Sequence, residues 1–299
     1  MIDQKVILGA CFTAILACGS FSCAPAQSAS TQETSTRETG TVAASSLSSA
    51  DIGPSQTRLD PPVGYVTDKN TVIMLGVIHR NHVGSETYGL DVLEALIREI
   101  DPDYVLTEIP PDRLADAMKG FVETGEVDES RVRVFPEYKD VLFPLSNEMD
   151  FKIIPTAAWS RGMADYRRDA LGRIREDATR KSDWDAYIAA NRGASEKMAG
   201  RGDDPYFIHS GEYDAITKAN LSVYGTRFAE DIGRGDWERI NAAHYKLIEA
   251  ALENHAGEGA TMLITYGAGH KYWFLEQLRQ RDDIILINPV EYLDKIKAK

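Results

Sequence analysis

Three polar residues hold positions from which they could act together. His79 closes the apolar run 71–78 in Gly76-Val77-Ile78-His79. Glu108 ends the run Val105-Leu106-Thr107-Glu108, and His270 follows a third run in Gly267-Ala268-Gly269-His270. Imidazole can serve as a general base near neutral pH. A carboxylate can orient it or share a metal with it, and two His plus one Glu are a known catalytic metal set that leaves a position open for water. Taken singly, a His at a strand end more often makes a structural hydrogen bond, and a Glu there more often caps a helix or meets solvent. The Gly-x-x-His tetrad is short, and its weight comes from closing two separate apolar runs. Gly76 and Gly267 permit close backbone approach where strand meets site. Gly269-His270 is expected to open the last long helix, whose N–H groups would favour an anion and disfavour a charged imidazole.

The remaining histidines carry blander readings. His82, three residues past His79, is either a neighbouring ligand, here a candidate substrate contact, or a loop residue. His244 falls on the stripe Ile240, His244, Leu247, Ile248, Ala251 and reads as a core histidine. His209 is a lid candidate, and His255 a dipole partner at a helix end. No Gly-x-Ser-x-Gly elbow, His-Glu-x-x-His, P-loop or Gly-x-Gly-x-x-Gly is present.

The elements that must position the trio alternate. Short apolar runs at 71–78, 103–109, 151–156, 260–266 and 283–288 read as buried strands. Leu90, Val92, Leu93, Leu96, Ile97 and Ile100 give an amphipathic helix between the first two, and Pro111 suits the first turn of the next. The expected fold is α/β, with a central, mostly parallel sheet, flanking helices and a helical insert at about 158–256. All three residues would then sit at the carboxyl ends of strands, where such sheets bind ligands. The insert carries Arg161, Arg167, Arg168, Arg173, Arg175, Arg180, Arg192 and Arg201 interleaved with acids. It reads as a solvated helical surface or, more sharply, as a cap lending one or two Arg to an anionic substrate.

The chain of 299 residues has 33 Lys and Arg against 46 Asp and Glu, a formal charge of −13, which argues against general nucleic-acid binding. Residues 1–26 read as an export leader. An apolar stretch at 6–17 follows Lys5, Ile15-Leu16-Ala17-Cys18 resembles a lipobox with Cys18 as the lipidated residue, and Ala24-Pro25-Ala26 is an alternative cleavage site. The three cysteines, Cys11, Cys18 and Cys23, all lie there, so the body has neither a cysteine nucleophile nor a Cys-ligated zinc. Residues 27–60, rich in Ser and Thr, read as a tether, leaving 61–299 as a single α/β domain. The expected setting is bacterial export, to the periplasm or to a membrane through a lipid at Cys18.

Gly76-x-x-His79, then Pro102-Asp103 leading into Glu108 with Arg113 shortly after, resembles the opening of TraB/TIKI-type proteins, within the wider erythromycin esterase-like and ChaN-like superfamily. Arg239 and Asn241 on a helix, followed by Tyr266-Gly267-Ala268-Gly269-His270, resemble its closing segment. The resemblance covers roughly 70–125 and 235–290. It implies an α/β fold with a helical insert, His79, Glu108 and His270 as the functional set, and Arg113 and Arg239 as supporting residues. It also implies a divalent metal (Mn, Co or Zn) as in TIKI-type proteases, metal-free lactone opening as in the esterases, or haem binding as in ChaN-like lipoproteins.

The expected function is an exported hydrolase of a peptide or ester bond in a small-molecule or peptide substrate, with Tyr266 and His82 as substrate contacts. The alternative is a haem- or metal-binding surface lipoprotein, with Tyr65, Tyr88 or Tyr266 available as iron ligands. A third reading is an inert family member that acts as a surface or partner protein.

Overall fold

A computed structural model describes residues 68–298. The leader, the tether, Cys18 and Tyr65 lie outside the described residues. The fold is α/β, built on five parallel strands: β1 (Asn70–Val77), β2 (Tyr104–Thr107), β3 (Lys152–Pro155), β4 (Thr261–Gly267) and β5 (Ile284–Ile287), in spatial order β3-β2-β4-β1-β5. Each strand falls within or one residue beside an apolar run, because a sheet covered on both faces needs continuous apolar strands.

Alternate side chains feed two cores. Ile73, Leu75 and Val77 of β1 join a core with α1 (Leu90–Ile100), α2 (Pro111–Thr124), α3 (Phe143–Met149) and α10 (Val290–Lys297). Val72 and Met74 face the other way, toward α8 (Trp237–Asn254) and α9 (Lys271–Leu278). Pro111 stands in the first turn of α2, which ends at Gly125 in the left-handed region (φ 76°), a conformation that costs glycine little.

Between β3 and β4 run α4 (Arg161–Glu176), α5 (Lys181–Met198), the single-turn α6 (Pro205–Ile208), α7 (Gly211–Ile232) and α8. Ser160, Ser210 and Asp236 cap α4, α7 and α8 by accepting backbone N–H bonds from residues three positions on. Tyr187, Tyr224, Phe228, Ile232 and Trp237 give these helices a core of their own. The segment after β4 departs from the sequence expectation. Ala268–His270 is a 3-10 turn, α9 begins only at Lys271 and spans 8 residues, and α10 follows it. Among the described residues no helix is long and apolar enough to cross a membrane.

Topology sets the site. β4 lies between β1 and β2, with Thr265 level with both Leu75 and Thr107. The helices that follow the neighbours β1 and β4, α1 and α9, cover opposite faces of the sheet. Their divergence opens a crevice at the strands' carboxyl ends, as in other open α/β sheets.

Candidate active site

His79, Glu108 and His270 meet in that crevice. Glu108 is central: its Oε2 is 3.9 Å from His79 Nε2 and its Oε1 3.7 Å from His270 Nε2. These gaps exceed hydrogen-bond length and leave room for a bridging group. The Gly267 N–H donates to Glu108 Oε2 at 3.0 Å. A Cβ at Gly267 would lie 2.5 Å from His79 Nε2, so only glycine lets the imidazole rest on this strand. His79 itself adopts a left-handed φ of 51°. A non-glycine residue there carries a cost of order 1 kcal/mol, a strain that gathers at functional sites.

Two residues outside the trio set the proton positions. His79 Nδ1 donates to Glu137 Oε1 at 2.6 Å, with Glu137 fully buried. His270 Nδ1 donates to Asn241 Oδ1 at 2.7 Å. Asn241 is held in that orientation because its Nδ2 donates to the Trp237 carbonyl at 2.7 Å. Both Nε2 atoms therefore face Glu108. Glu137 opens a π-helical turn, Glu137–Leu142, a rare geometry associated with functional sites. The next residue on that turn, Tyr138, accepts the Glu108 N–H at 2.9 Å and donates to the Thr265 carbonyl at 3.3 Å. One irregular turn thus fixes both an imidazole and the backbone of the central acid.

The two imidazoles are poised oppositely. Burial alone would lower the pKa of His79, but the charge of Glu137 and its hydrogen bond, helped by Glu108, leave it raised. His270 is lowered well below its ordinary value, first by burial and then by His244, His79 and Arg167. Burial raises Glu108, against the pull of His79 and the Gly267 N–H. At neutral pH His270 is a neutral acceptor, while His79 exchanges a proton above pH 6.5.

The other expected residues lie elsewhere. His82 is buried with both nitrogens engaged, Nε2 accepting from the Ile78 N–H at 3.0 Å and Nδ1 donating to the Tyr88 carbonyl at 2.7 Å, so it pins the loop after β1 and offers nothing to a substrate. Tyr266 is fully buried below the crevice. Thr156 Oγ1 spends its proton on the Thr107 carbonyl, so the Tyr266 hydroxyl donates to Thr156, at 2.9 Å. Arg239 points away to the end of α7, bonding the Ala229 and Gly233 carbonyls and Glu230. Arg113 pairs with Asp112 on its own helix at 3.2 Å and with Glu129 at 4.0 Å, and is not among the residues lining the crevice or its side recess. The last two expectations came with the family resemblance, which does not fix a side chain's direction around a helix. His209, the lid candidate, is instead buried, accepting the Gly76 N–H at 3.1 Å and donating to the Pro205 carbonyl. His244 lies in the core, where its Nδ1 accepts the Ala158 N–H.

Arginines do reach the site, from other positions. Arg167 lines the main cavity of about 100 Å³ together with His79, Glu108, Trp159, Trp237 and His270. Arg131 lines a small side recess with Glu108, Phe135 and Trp159, and donates to the Trp159 carbonyl at 3.4 Å. Trp237 stacks on His270 with centroids 4.5 Å apart.

The donor set suits a divalent cation in kind: two imidazole Nε2 atoms and a carboxylate, with each Nδ1 held by a partner, as metal-bound histidines commonly are. The separations of 3.7 and 3.9 Å exceed the about 3.4 Å expected between two ligands of a tetrahedral ion. Among the described residues no group of three or more His, Cys, Asp or Glu is arranged so that it could hold a metal ion as it stands. Neither Tyr88, whose hydroxyl donates to the Gly76 carbonyl, nor Tyr266 presents an oxygen to haem. Compared with known proteins, the chain matches no family model, no curated protein and no solved structure.

Proposed function

We propose that the protein is a hydrolase that activates water between His79 and Glu108 to cleave an ester or amide bond. The observation that carries this reading is the placement of one buried carboxylate within 4 Å of two imidazoles whose outer nitrogens are both turned toward it. Water in the gap gives one hydrogen bond to Glu108 and loses its other proton to His79 Nε2 as its oxygen attacks the carbonyl carbon. Glu137 stabilises the imidazolium that forms. The same proton then passes from His79 to the departing oxygen or nitrogen as the bond to carbon breaks. His270, kept neutral, forms the far wall without competing for that proton.

A second reading is favoured by the tautomers imposed by Glu137 and Asn241: His79, Glu108 and His270 would hold a divalent cation. Such an ion would polarise the carbonyl and acidify bound water. The residue pattern also supports membership of the TraB/TIKI-type family, and the leader supports export with a lipid at Cys18.

His79→Ala and Glu108→Gln are expected to lower kcat/KM at least 10²-fold on a panel of esters and peptides; Glu108→Gln should leave thermal unfolding nearly unchanged, whereas His79→Ala strips the buried Glu137 of its partner and should lower the unfolding temperature. Elemental analysis separates the two readings, since one ion per chain that is lost in His79→Ala selects the metal. Full activity in either variant would end the hydrolase proposal.

A further inference from the structure

Arg167 is the one arginine that α4 brings to the wall of the main cavity, and among the described residues its charge has no acidic partner. No carboxylate among the described residues lies within ion-pair distance of it, although most arginines of the insert are paired: Arg168 with Asp165 and Asp169, Arg180 with Asp183 and Asp231, Arg201 with Glu212, Arg227 with Asp183. The guanidinium is nonetheless held firmly. Nε donates to the Tyr224 hydroxyl at 2.9 Å, and the carbon of the guanidinium lies 5.8 Å from the Trp159 ring centroid and 5.4 Å from that of Tyr224. Its Cβ and Trp159 both pack at the Gly235 turn, each within 3.6 Å of where a Cβ on that glycine would stand. Because Tyr224 occupies the Nε edge, the Nη1–Nη2 edge is left as a fork matched to a carboxylate.

We infer that the substrate carries a carboxylate, bound by Arg167 against the Trp159 face beside the bond to be cleaved. A fixed, uncompensated cation in a chain of net charge −13 is costly to keep without a ligand and draws in an anion that the rest of the surface repels. The inference rests on the proposed hydrolytic site for the cleavage step, and on Arg167 alone for recognition.

Succinate, a small dicarboxylate without a bond to be cleaved, tests recognition without turnover. Titrated into the full chain at constant ionic strength, it is expected to change the fluorescence of Trp159 and Trp237 saturably, while neutral succinamide does not. Arg167→Gln should weaken succinate binding at least tenfold. Arg167→Lys, which keeps charge and stem but not the fork, should fall between. On turnover, esters or peptides ending in a free carboxylate should have a lower KM than their neutral counterparts, and Arg167→Gln should erase that difference. No saturable response to succinate in the wild-type chain overturns the inference, as does an equal response to succinamide. So does unchanged binding in a folded Arg167→Gln or, should that variant not fold, in Arg167→Lys. Arg167-dependent succinate binding in a chain that cleaves nothing leaves the inference standing and defeats the hydrolase. His79-dependent cleavage indifferent to the carboxylate does the reverse.

Discussion

The ends of β1 and β4 carry the same tetrad and the same outward-facing imidazole nitrogen, yet they hold their protons differently. At β1 the inner nitrogen of His79 meets the carboxylate of Glu137; at β4 that of His270 meets the amide of Asn241. Burial acts against charge on both rings, and only the carboxylate overcomes it. The chemistry of a histidine here is therefore decided by an atom it shares with a distant segment, 58 residues away for His79 and 29 for His270.

The largest test removes that difference. Glu137→Gln keeps the shape of the partner but not its charge, and is expected to lower kcat/KM about 10³-fold, within the range lost when a general base is disarmed. The acid limb of the pH–rate profile, set in the wild type by a His79 pKa above 6.5, should move to lower pH, since burial then dominates. The sign also holds for stability. The His79–Glu137 pair contributes fully below the unfolded pKa of about 6.5, and its contribution fades as pH rises through the raised folded value. Equilibrium unfolding of wild type and variant at pH 6 and pH 9 should show the gap narrowing at the higher pH.

The converse exchange, Asn241→Asp, gives His270 the charge it lacks. It should raise the His270 pKa, add a second acid limb to the rate profile and cost about tenfold in activity at pH 7. It should also destabilise the fold by about 1–3 kcal/mol, because the Trp237 carbonyl loses its side-chain donor and faces a buried carboxylate instead. An unaltered profile would show that the partner does not govern the proton.

The effect furthest from the chemistry concerns the sealed histidines. His209 and His244 are each pushed by burial to about 3. The unfolded chain therefore binds protons that the folded one refuses, and stability should fall as pH drops below about 6.5, by up to about 1.4 kcal/mol per pH unit for each ring. Urea unfolding between pH 7 and pH 5 measures the slope, and His209→Asn should reduce it by about one proton.

His79, Glu108 and His270 were legible in the sequence because each closes an apolar run, and five such runs specify the parallel sheet that aligns their ends. Glu137 was not. It sits in a stretch without helical period and reaches His79 only through a π-helical turn that no spacing announces. Arg167 was visible only as one of several arginines, because the difference between a paired and an unpaired cation lies in the neighbouring helices. Arg113 and Arg239, which the family resemblance implied, are held by other partners: Arg113 by Asp112 and Glu129, Arg239 by the end of α7 and Glu230.

Glu137 has a second oxygen, Oε2, which is buried without any hydrogen-bond partner. An unpaired polar atom in the interior is costly, and the bond from His79 Nδ1 to the other oxygen is what compensates this side chain, the more so when the imidazole is charged. A proton captured at His79 is thus retained against loss to bulk solvent until the departing group claims it. Each turnover would then pass the proton taken from the attacking water through His79 Nε2 to the departing oxygen or nitrogen, leaving the imidazole neutral for the next.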